Sequence, residues 1–252
     1  MANGRAPLSI GLHAPSEETA NGSGASVDLH ASSIPRSAVS VALTVSAASG
    51  TFTAGQGLTV ILEHSADEET WTTLSSFATV ASTTYSIKVS GGSRRYLRAR
   101  WTITGTASPA FTFKLDGTAS VSYADPADFD IHGLPSKATD GVSDEIKVRT
   151  LLACSDMIDG RMFTATDSLP LKSWGEDVRA LCVDLASWRM MARKGFNPEL
   201  PGDLVVRQRY DDAVSWLAMV SAGKGSTATT DQTPDVSELG ATVYTPRRAR
   251  WS

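Results

Sequence analysis

The first half of the chain shows a hydrophobic pattern with a period of two. Within the segment 26–122, apolar and polar residues alternate in several short runs. Such alternation is typical of strands that bury one face and expose the other. Gly, Asp and Pro residues separate the runs, so the segment is predicted to be an antiparallel β-sandwich. In each run the apolar residues, Tyr85 and Ile87 among them, are expected to form the buried face. The runs are residues 39–45, 58–62, 85–89, 97–103 and 111–115.

In the second half of the chain, apolar residues recur every three or four positions, which places them on one side of an α-helix. The spacing predicts helices at residues 126–132, 143–163, 174–194 and 203–222. Their apolar stripes must pack together, so a small helical bundle is expected. The stripes of the last two helices are Val178, Leu181, Cys182, Leu185, Trp188 and Ala192, and then Val206, Tyr210, Ala213, Val214, Leu217 and Val220.

The overall prediction is a multidomain α and β protein: an N-terminal antiparallel β-sandwich, then a small α-helical bundle and an extended C-terminal tail. A Pro- and Gly-rich junction at 124–141 separates the two periodic patterns. Neither end of the chain shows sustained periodicity, so both ends are expected to be extended. The predicted parts are a flexible arm at 1–25, the sandwich at 26–122, the bundle at 123–225 and the tail at 226–252.

Composition narrows the class of protein. The chain has 252 residues, of which 41% are hydrophobic and 20% charged, so a packed core is expected. A net charge of -4 disfavours a general polyanion binder. No apolar run approaches the ~18 residues of a membrane span, and the N-terminus predicts no signal peptide. Cys154 and Cys182 fall within helical patterns and are expected to be reduced core residues, as in a protein made in a reducing cytoplasm.

Catalytic and metal-binding patterns are not apparent in the sequence. His13, His30, His64 and His132 stand alone, without a second ligand at metal spacing. Phosphate-binding loops and nucleophile elbows are also missing. The prediction is therefore a protein that is not an enzyme and needs no cofactor or metal. A glycosidase-type carboxylate pair has no sequence signature, so a cell-wall-degrading enzyme stays open as a minor alternative.

One candidate interaction surface lies on the predicted sandwich. If Leu97, Ala99 and Trp101 face the core, their neighbours must share the outer face of the same strand. A solvated face that discourages edge aggregation is one interpretation. A contact surface for an acidic protein or a polysaccharide is the other, with nucleic acid a remote third. The residues of this candidate surface are Arg94, Tyr96, Arg98 and Arg100.

A second candidate is the end of the C-terminal tail, where aromatic and Arg residues are interleaved. These residue types anchor protein interfaces. Docking on a partner is the favoured interpretation, while folding back on the bundle and contact with DNA remain open. Trp216 does not share the main stripe of its helix and is expected to serve assembly more than folding. The tail residues are Tyr244, Pro246, Arg247, Arg248, Arg250 and Trp251.

A series of distinctive motifs follows residue 122. It contains the opening around Tyr123, the loop Leu169-Pro170-Leu171 and a closing Ser-Ala-Gly-Lys-Gly at 221–225. The other members are two helix centres, Asp184-Leu185-Ala186-Ser187-Trp188-Arg189 and Arg209-Tyr210 with Trp216-Leu217, and the ending Thr242-Val243-Tyr244-Thr245-Pro246-Arg247. In their order and spacing, these motifs resemble the gp36-like family of phage head–tail adaptors.

The resemblance implies a structural virion protein at the head–tail junction. Its subunits would form a ring of twelve between the portal protein and a tail-side connector or terminator protein, after synthesis in the host cytoplasm. DNA would pass through the lumen without being read in sequence, and no membrane would be involved. The sandwich is similar to modules that phages append to structural proteins. The alternative function is a capsid or tail decoration protein that binds neighbours or glycan through its sandwich.

Overall fold

A computed structural model describes residues 7–30, 34–132, 139–162 and 169–224. The predicted fold class is confirmed, since antiparallel sheets occupy the N-terminal part and helices the C-terminal part. The candidate tail residues from Tyr244 to Trp251 lie outside the described part of the chain.

Two antiparallel sheets pack face to face in the N-terminal half. One sheet has the strand order β1-β9-β4-β7, and the other has the order β2-β8-β5-β6 with β3 also paired to β8. Their facing surfaces enclose one apolar cluster. The strands are β1 (Leu8–Glu18), β2 (Gly22–Ser23), β3 (Val27–Asp28), β4 (Ala38–Thr51), β5 (Gly57–Ser65), β6 (Thr72–Ser76), β7 (Thr84–Ser90), β8 (Tyr96–Thr104) and β9 (Thr106–Ser120).

Four helices are described in the C-terminal half, close to the predicted ranges: α1 (Asp128–Ile131), α2 (Asp144–Met162), α3 (Glu176–Lys194) and α4 (Pro201–Ser221). The helix α3 contacts both α2 and α4, and the three bury their stripes in one core cluster. Cys154 and Cys182 are buried there as free thiols. Burial raises the pKa of Cys154 to about 11, so this thiol stays protonated in the core.

The predicted flexible arm at 1–25 is wrong for residues 8–18, which form strand β1. This strand pairs antiparallel with β9 along most of its length. Ile10 and Leu12 are each only 2% exposed and belong to the sandwich core. Without β1, one edge of the long strand β9 would be unpaired, and open edges favour aggregation. The sandwich therefore begins well before residue 26.

The predicted orientation of β7 is also wrong. Tyr85 and Ile87 are 66% and 46% exposed. In the register with β4, Ser86 lies opposite the buried Leu43, so the polar residues of β7 lie on the core side. Alternation alone does not show which face of an edge strand is covered. Val89, on the same outer side, is buried because α2 packs against it.

The stripe of α3 is longer in the sequence prediction than in the structure. Ala192 is exposed, and Trp188 is only half-buried in a small cluster at the α3–α4 end of the bundle. The Trp188 ring packs edge-on against Phe196, with 5.2 Å between ring centroids. On α4, the guanidinium of Arg207 lies 4.8 Å from the centroid of the Trp188 ring. Trp188 therefore closes the end of the bundle rather than filling its centre.

Tyr123 joins the sandwich to the bundle. It follows β9 by three residues and is 1% exposed, within the core of the helices. Its backbone N–H donates to Ser155 Oγ at 3.0 Å, and its carbonyl accepts from the Trp174 indole at 2.8 Å. Its hydroxyl donates to Asp159 Oδ1 and accepts from the Leu171 N–H at 3.0 Å. One side chain thus ties the end of β9 to α2 and to the loop before α3.

Replacing Tyr123 by Phe removes both hydroxyl hydrogen bonds and leaves a buried carboxylate and a buried N–H with fewer partners. We expect the free energy of unfolding of the full chain to fall by about 2–3 kcal/mol. Urea denaturation followed by tryptophan fluorescence measures the change. The matched control is Tyr85→Phe, which makes the same chemical change at an exposed site and is expected to shift stability by less than about 0.5 kcal/mol. Equal losses in the two variants would contradict the role assigned to Tyr123.

Candidate functional site

The outer face of β8 carries the candidate surface on the sandwich. Leu97, Ala99 and Trp101 face the core, as predicted, at 0%, 0% and 5% exposure. Arg98 and Arg100 therefore point outward. Both bind one carboxylate on the adjacent strand β5, which sequence reasoning missed.

That carboxylate is Glu63, which is only 6% exposed. The Nε atoms of Arg98 and Arg100 donate to its two oxygens at 2.9 and 2.7 Å. Burial raises the pKa of Glu63, but the hydrogen bonds from Arg100 and Arg98 outweigh burial and hold the pKa below its ordinary range. The cross-strand register places Glu63 directly opposite Arg98. A glutamate in the apolar run of β5 was the signal that could have revealed the pair.

Trp71 extends this surface. The Arg98 guanidinium lies 4.1 Å from the Trp71 ring centroid, a cation–π geometry. The preceding turn fixes Trp71, because Asp67 Oδ1 accepts from the Thr70 N–H at 2.8 Å and the Trp71 indole donates to the Glu68 carbonyl at 3.1 Å. The outer face of β8 thus combines an aromatic ring with two guanidinium groups around one carboxylate.

The remaining candidate residues lie at the start of β8. Arg94 is exposed, and its backbone N–H donates to His64 Nδ1 at 3.2 Å. Tyr96 is half-buried beneath the neighbouring Arg95, whose guanidinium lies 5.0 Å from the ring centroid. Arg95 itself pairs with Asp28 at 2.8 Å. Acidic partners within the sandwich therefore offset much of the positive charge that the sequence suggested for this face.

Trp216 lies on α4 and is half-buried against the bundle core. It borders an exposed side of α4 that also carries Val205 and Met219, at 48% and 49% exposure. Exposed apolar side chains on a helix mark candidate contacts when they share one face. The seven-residue spacing from Val205 to Met219, through position 212, is a sequence signal that was overlooked.

The described residues contain no group of three or more His, Cys, Asp or Glu that could hold a metal ion. His13, for example, stacks on Phe113 at 4.3 Å between ring centroids and meets Trp101 edge-on.

Within the described ranges, no helix is both long and apolar enough to cross a membrane.

A cleft of about 790 Å³ separates the sandwich from the start of α2. Four carboxylates line it, and three of them are held by nearby groups. Asp144 pairs with Lys147 at 3.1 Å, and Glu145 pairs with Arg149 at 2.9 Å. Asp125 accepts the Ala127 N–H at 2.8 Å. These pairings indicate structural roles for the carboxylates rather than a general acid and base.

Residues 128–245 match the model of the family described as Bacteriophage Mu, Gp36. This part of the chain is Gp36-like. The match covers α1 to α4 and continues to Tyr244, the first of the tail candidates, and it agrees with the resemblance seen in the sequence. It indicates a phage structural protein associated with the virion and favours a structural over an enzymatic role.

Comparison with individual proteins adds little to the family match. No curated protein matches the chain. Among solved structures, the crystal structure of PBSX exported protein XepA is 19% identical, with a TM-score of 0.34. The likeness covers 45% of this chain and 37% of the XepA chain.

The contribution of the Glu63 carboxylate to the stability of the fold is expected to depend on pH. Its folded-state pKa is depressed, so its stabilising effect is complete above the ordinary glutamate pKa of ~4.3 and is lost as the pH falls through the lower folded value. We expect Glu63→Gln to cost about 1–2 kcal/mol at pH 7. The difference from the unaltered protein should shrink below pH 4. Thermal melting across pH 3–7 measures it, with the exposed Glu69→Gln as control. A difference that stays constant down to pH 3 would show that the ion pairs do not stabilise the fold.

Proposed function

We propose that the protein is a head–tail adaptor: a virion subunit that forms a ring of twelve copies between the portal protein and a tail-side connector or terminator protein. DNA would pass through the lumen without sequence-specific contacts. The observation that carries the proposal is the Gp36 family match over residues 128–245. That segment holds the whole described helical bundle, so the bundle is the part assigned to the ring.

The fold is consistent with separate roles for the bundle, in the ring, and for the sandwich, as a contact module. The core of the bundle is separate from that of the sandwich, so each part can bind its own partner. Tyr123 fixes the end of β9 within the helices. A sandwich attached in this way would project from the ring in a set direction, where it can meet a neighbour in the virion. No catalytic step is assigned to the chain.

The C-terminal tail is the proposed portal-docking element. Residues 225–240 could span at most about 55 Å if fully extended, at ~3.3–3.6 Å per residue. Beyond them, Tyr244 and Trp251 supply aromatic anchors. Arg247, Arg248 and Arg250 suit carboxylates on a partner, because guanidinium pairs with them in a two-pronged geometry. Three Arg alone would hold DNA only weakly at physiological salt.

Deleting residues 241–252 tests the docking role. We expect the shortened protein to melt at the same temperature as the full chain and to lose co-sedimentation with portal particles. A variant with Arg247, Arg248 and Arg250 replaced by Ser keeps the chain length and should weaken binding strongly, by tenfold or more.

If the protein that lacks residues 241–252 still co-sediments with portal particles, the tail is not the docking element. A large fall in melting temperature would show instead that the tail folds back on its own bundle. Failure of the full chain to bind portal at all would contradict the adaptor function.

A decoration protein is the second candidate function. The arrangement that favours it is the outer face of β8, where Trp71, Arg98 and Arg100 form an aromatic and cationic surface around Glu63. Such a surface could contact a capsid neighbour or a glycan. Binding of the protein to capsids that lack portal would separate this function from the adaptor.

A further inference from the structure

The exposed side of α4 has the spacing of a helix that packs against another helix. Val205, Asp212 and Met219 are seven residues apart, so they share one stripe, and Gln208 and Trp216 fall between them on the same side. Val205 and Met219 are about half exposed, and Asp212 is exposed. The stripe is about 21 Å long at 1.5 Å per residue. It carries apolar side chains at both ends and a negative charge in the middle.

A groove of complementary character lies between α2 and α3. Its cavity measures about 230 Å³ and is lined by Val142, Ile146 and Met190, with Arg193 and Lys194 at the rim. The first three give it an apolar floor. The last two belong to the final turn of α3.

Outside the cavity, α3 carries a further basic residue. Arg189 lies one helical turn before Arg193, and its guanidinium contacts Met157 Sδ of α2 at 3.6 Å. Of the neighbouring carboxylates, Glu145 is held by Arg149 at 2.9 Å. The groove thus presents cations around an apolar floor.

The charges of the two surfaces are opposite in sign. On α4, Asp211 is paired with Arg207 at 2.9 Å, which leaves Asp212 to define the charge of the stripe. In the groove, Arg189 and Arg193 are both exposed. A carboxylate in the middle of an apolar stripe would meet guanidinium groups beside an apolar floor, and such complementarity fixes the register of an interface.

The two surfaces lie on different sides of the bundle. Trp188 faces α4, since its ring lies 5.7 Å from that of Tyr210. Arg189 is the next residue, about 100° further around the helix, and it faces α2. The stripe and the groove therefore belong to different surfaces of one molecule. A contact between different surfaces of identical subunits is heterologous, and repeating it gives a ring or a filament.

We propose that the α4 stripe of one copy docks into the α2–α3 groove of a second copy, with Asp212 facing Arg189 and Arg193 of its neighbour. The inference deepens the adaptor function and rests on it, because it names the subunit contact that would build the ring. Val205 and Met219 would pack at the two ends of the same contact. Trp216, half-buried beside the stripe, would complete its apolar surface, which gives that residue the assembly role expected from the sequence.

Charge reversal tests the contact on the full-length protein. Asp212→Arg and Arg193→Glu should each weaken self-association at least tenfold in sedimentation velocity, without a change in melting temperature. An equimolar mixture of the two variants should assemble again. The stripe of the Arg193→Glu variant and the groove of the Asp212→Arg variant are both unaltered and still fit. In the alternate contacts, the two reversed side chains attract each other. The control reversals are Glu69→Arg, at an exposed position on the sandwich, and Lys114→Glu, at a partly exposed one, and they should leave association unchanged.

Several outcomes would overturn the inference. These are single reversals that assemble like the unaltered protein, a mixture that stays dissociated, or an unaltered protein that is monomeric at every soluble concentration. Loss of self-association on deleting residues 241–252 would show that the tail, and not the α4 stripe, makes the contact between copies. Portal co-sedimentation is measured in parallel, so a protein that binds portal without self-association contradicts this contact but not the adaptor function.

Discussion

The arrangement of this protein depends on the burial of Tyr123 directly after the last strand. A tyrosine in an apolar core must satisfy its hydroxyl and its backbone groups, because an unpaired buried polar group costs about 1–3 kcal/mol. Here the hydrogen bonds of Tyr123 to Ser155 and Asp159 of α2, to Leu171 and to Trp174 all lead to the helical part. These hydrogen bonds hold the residues that follow β9 against the helices. The same set of bonds therefore connects the sandwich to the bundle.

This constraint connects the fold with the proposed function. The sandwich and the bundle keep separate cores, yet a small apolar cluster of Ala38, Val89 and Val148 joins the sandwich to α2. If the bundle forms a ring, each sandwich would be carried at a set angle to it. Because Glu63 offsets one of the two positive charges of Arg98 and Arg100, the sandwich would then present a specific contact surface rather than a strongly cationic one.

Much of the fold could be predicted from the sequence, because long runs with a clear period bury one face wherever they occur. The alternation around Leu97 and the helical spacing around Leu185 were of this kind. The errors came where neighbours decide burial. Strand β1 has only three alternating apolar residues and forms because β9 offers it an edge. Tyr85 and Ile87 alternate correctly but lie on an uncovered face, which only the pairing with β4 reveals.

The candidate surfaces were harder to predict than the fold. The outward direction of Arg98 followed from the period of its strand, but its partner Glu63 is 35 residues away and depends on the register of two strands. The stripe on α4 was present in the sequence as a seven-residue spacing. Its importance emerged only when Val205 and Met219 were found exposed while the opposite side of the helix filled the core.

We propose that the protein occupies the head–tail junction, with its bundle in the ring and its sandwich projecting outward. Immunogold electron microscopy of intact virions, with antibodies raised against the sandwich, tests this claim. We predict gold particles at the neck of the virion, between head and tail, and none on the separate heads and tails that form when the gene is deleted. Label distributed over the capsid surface would support a decoration protein and contradict the claim, as would the absence of the protein from virions.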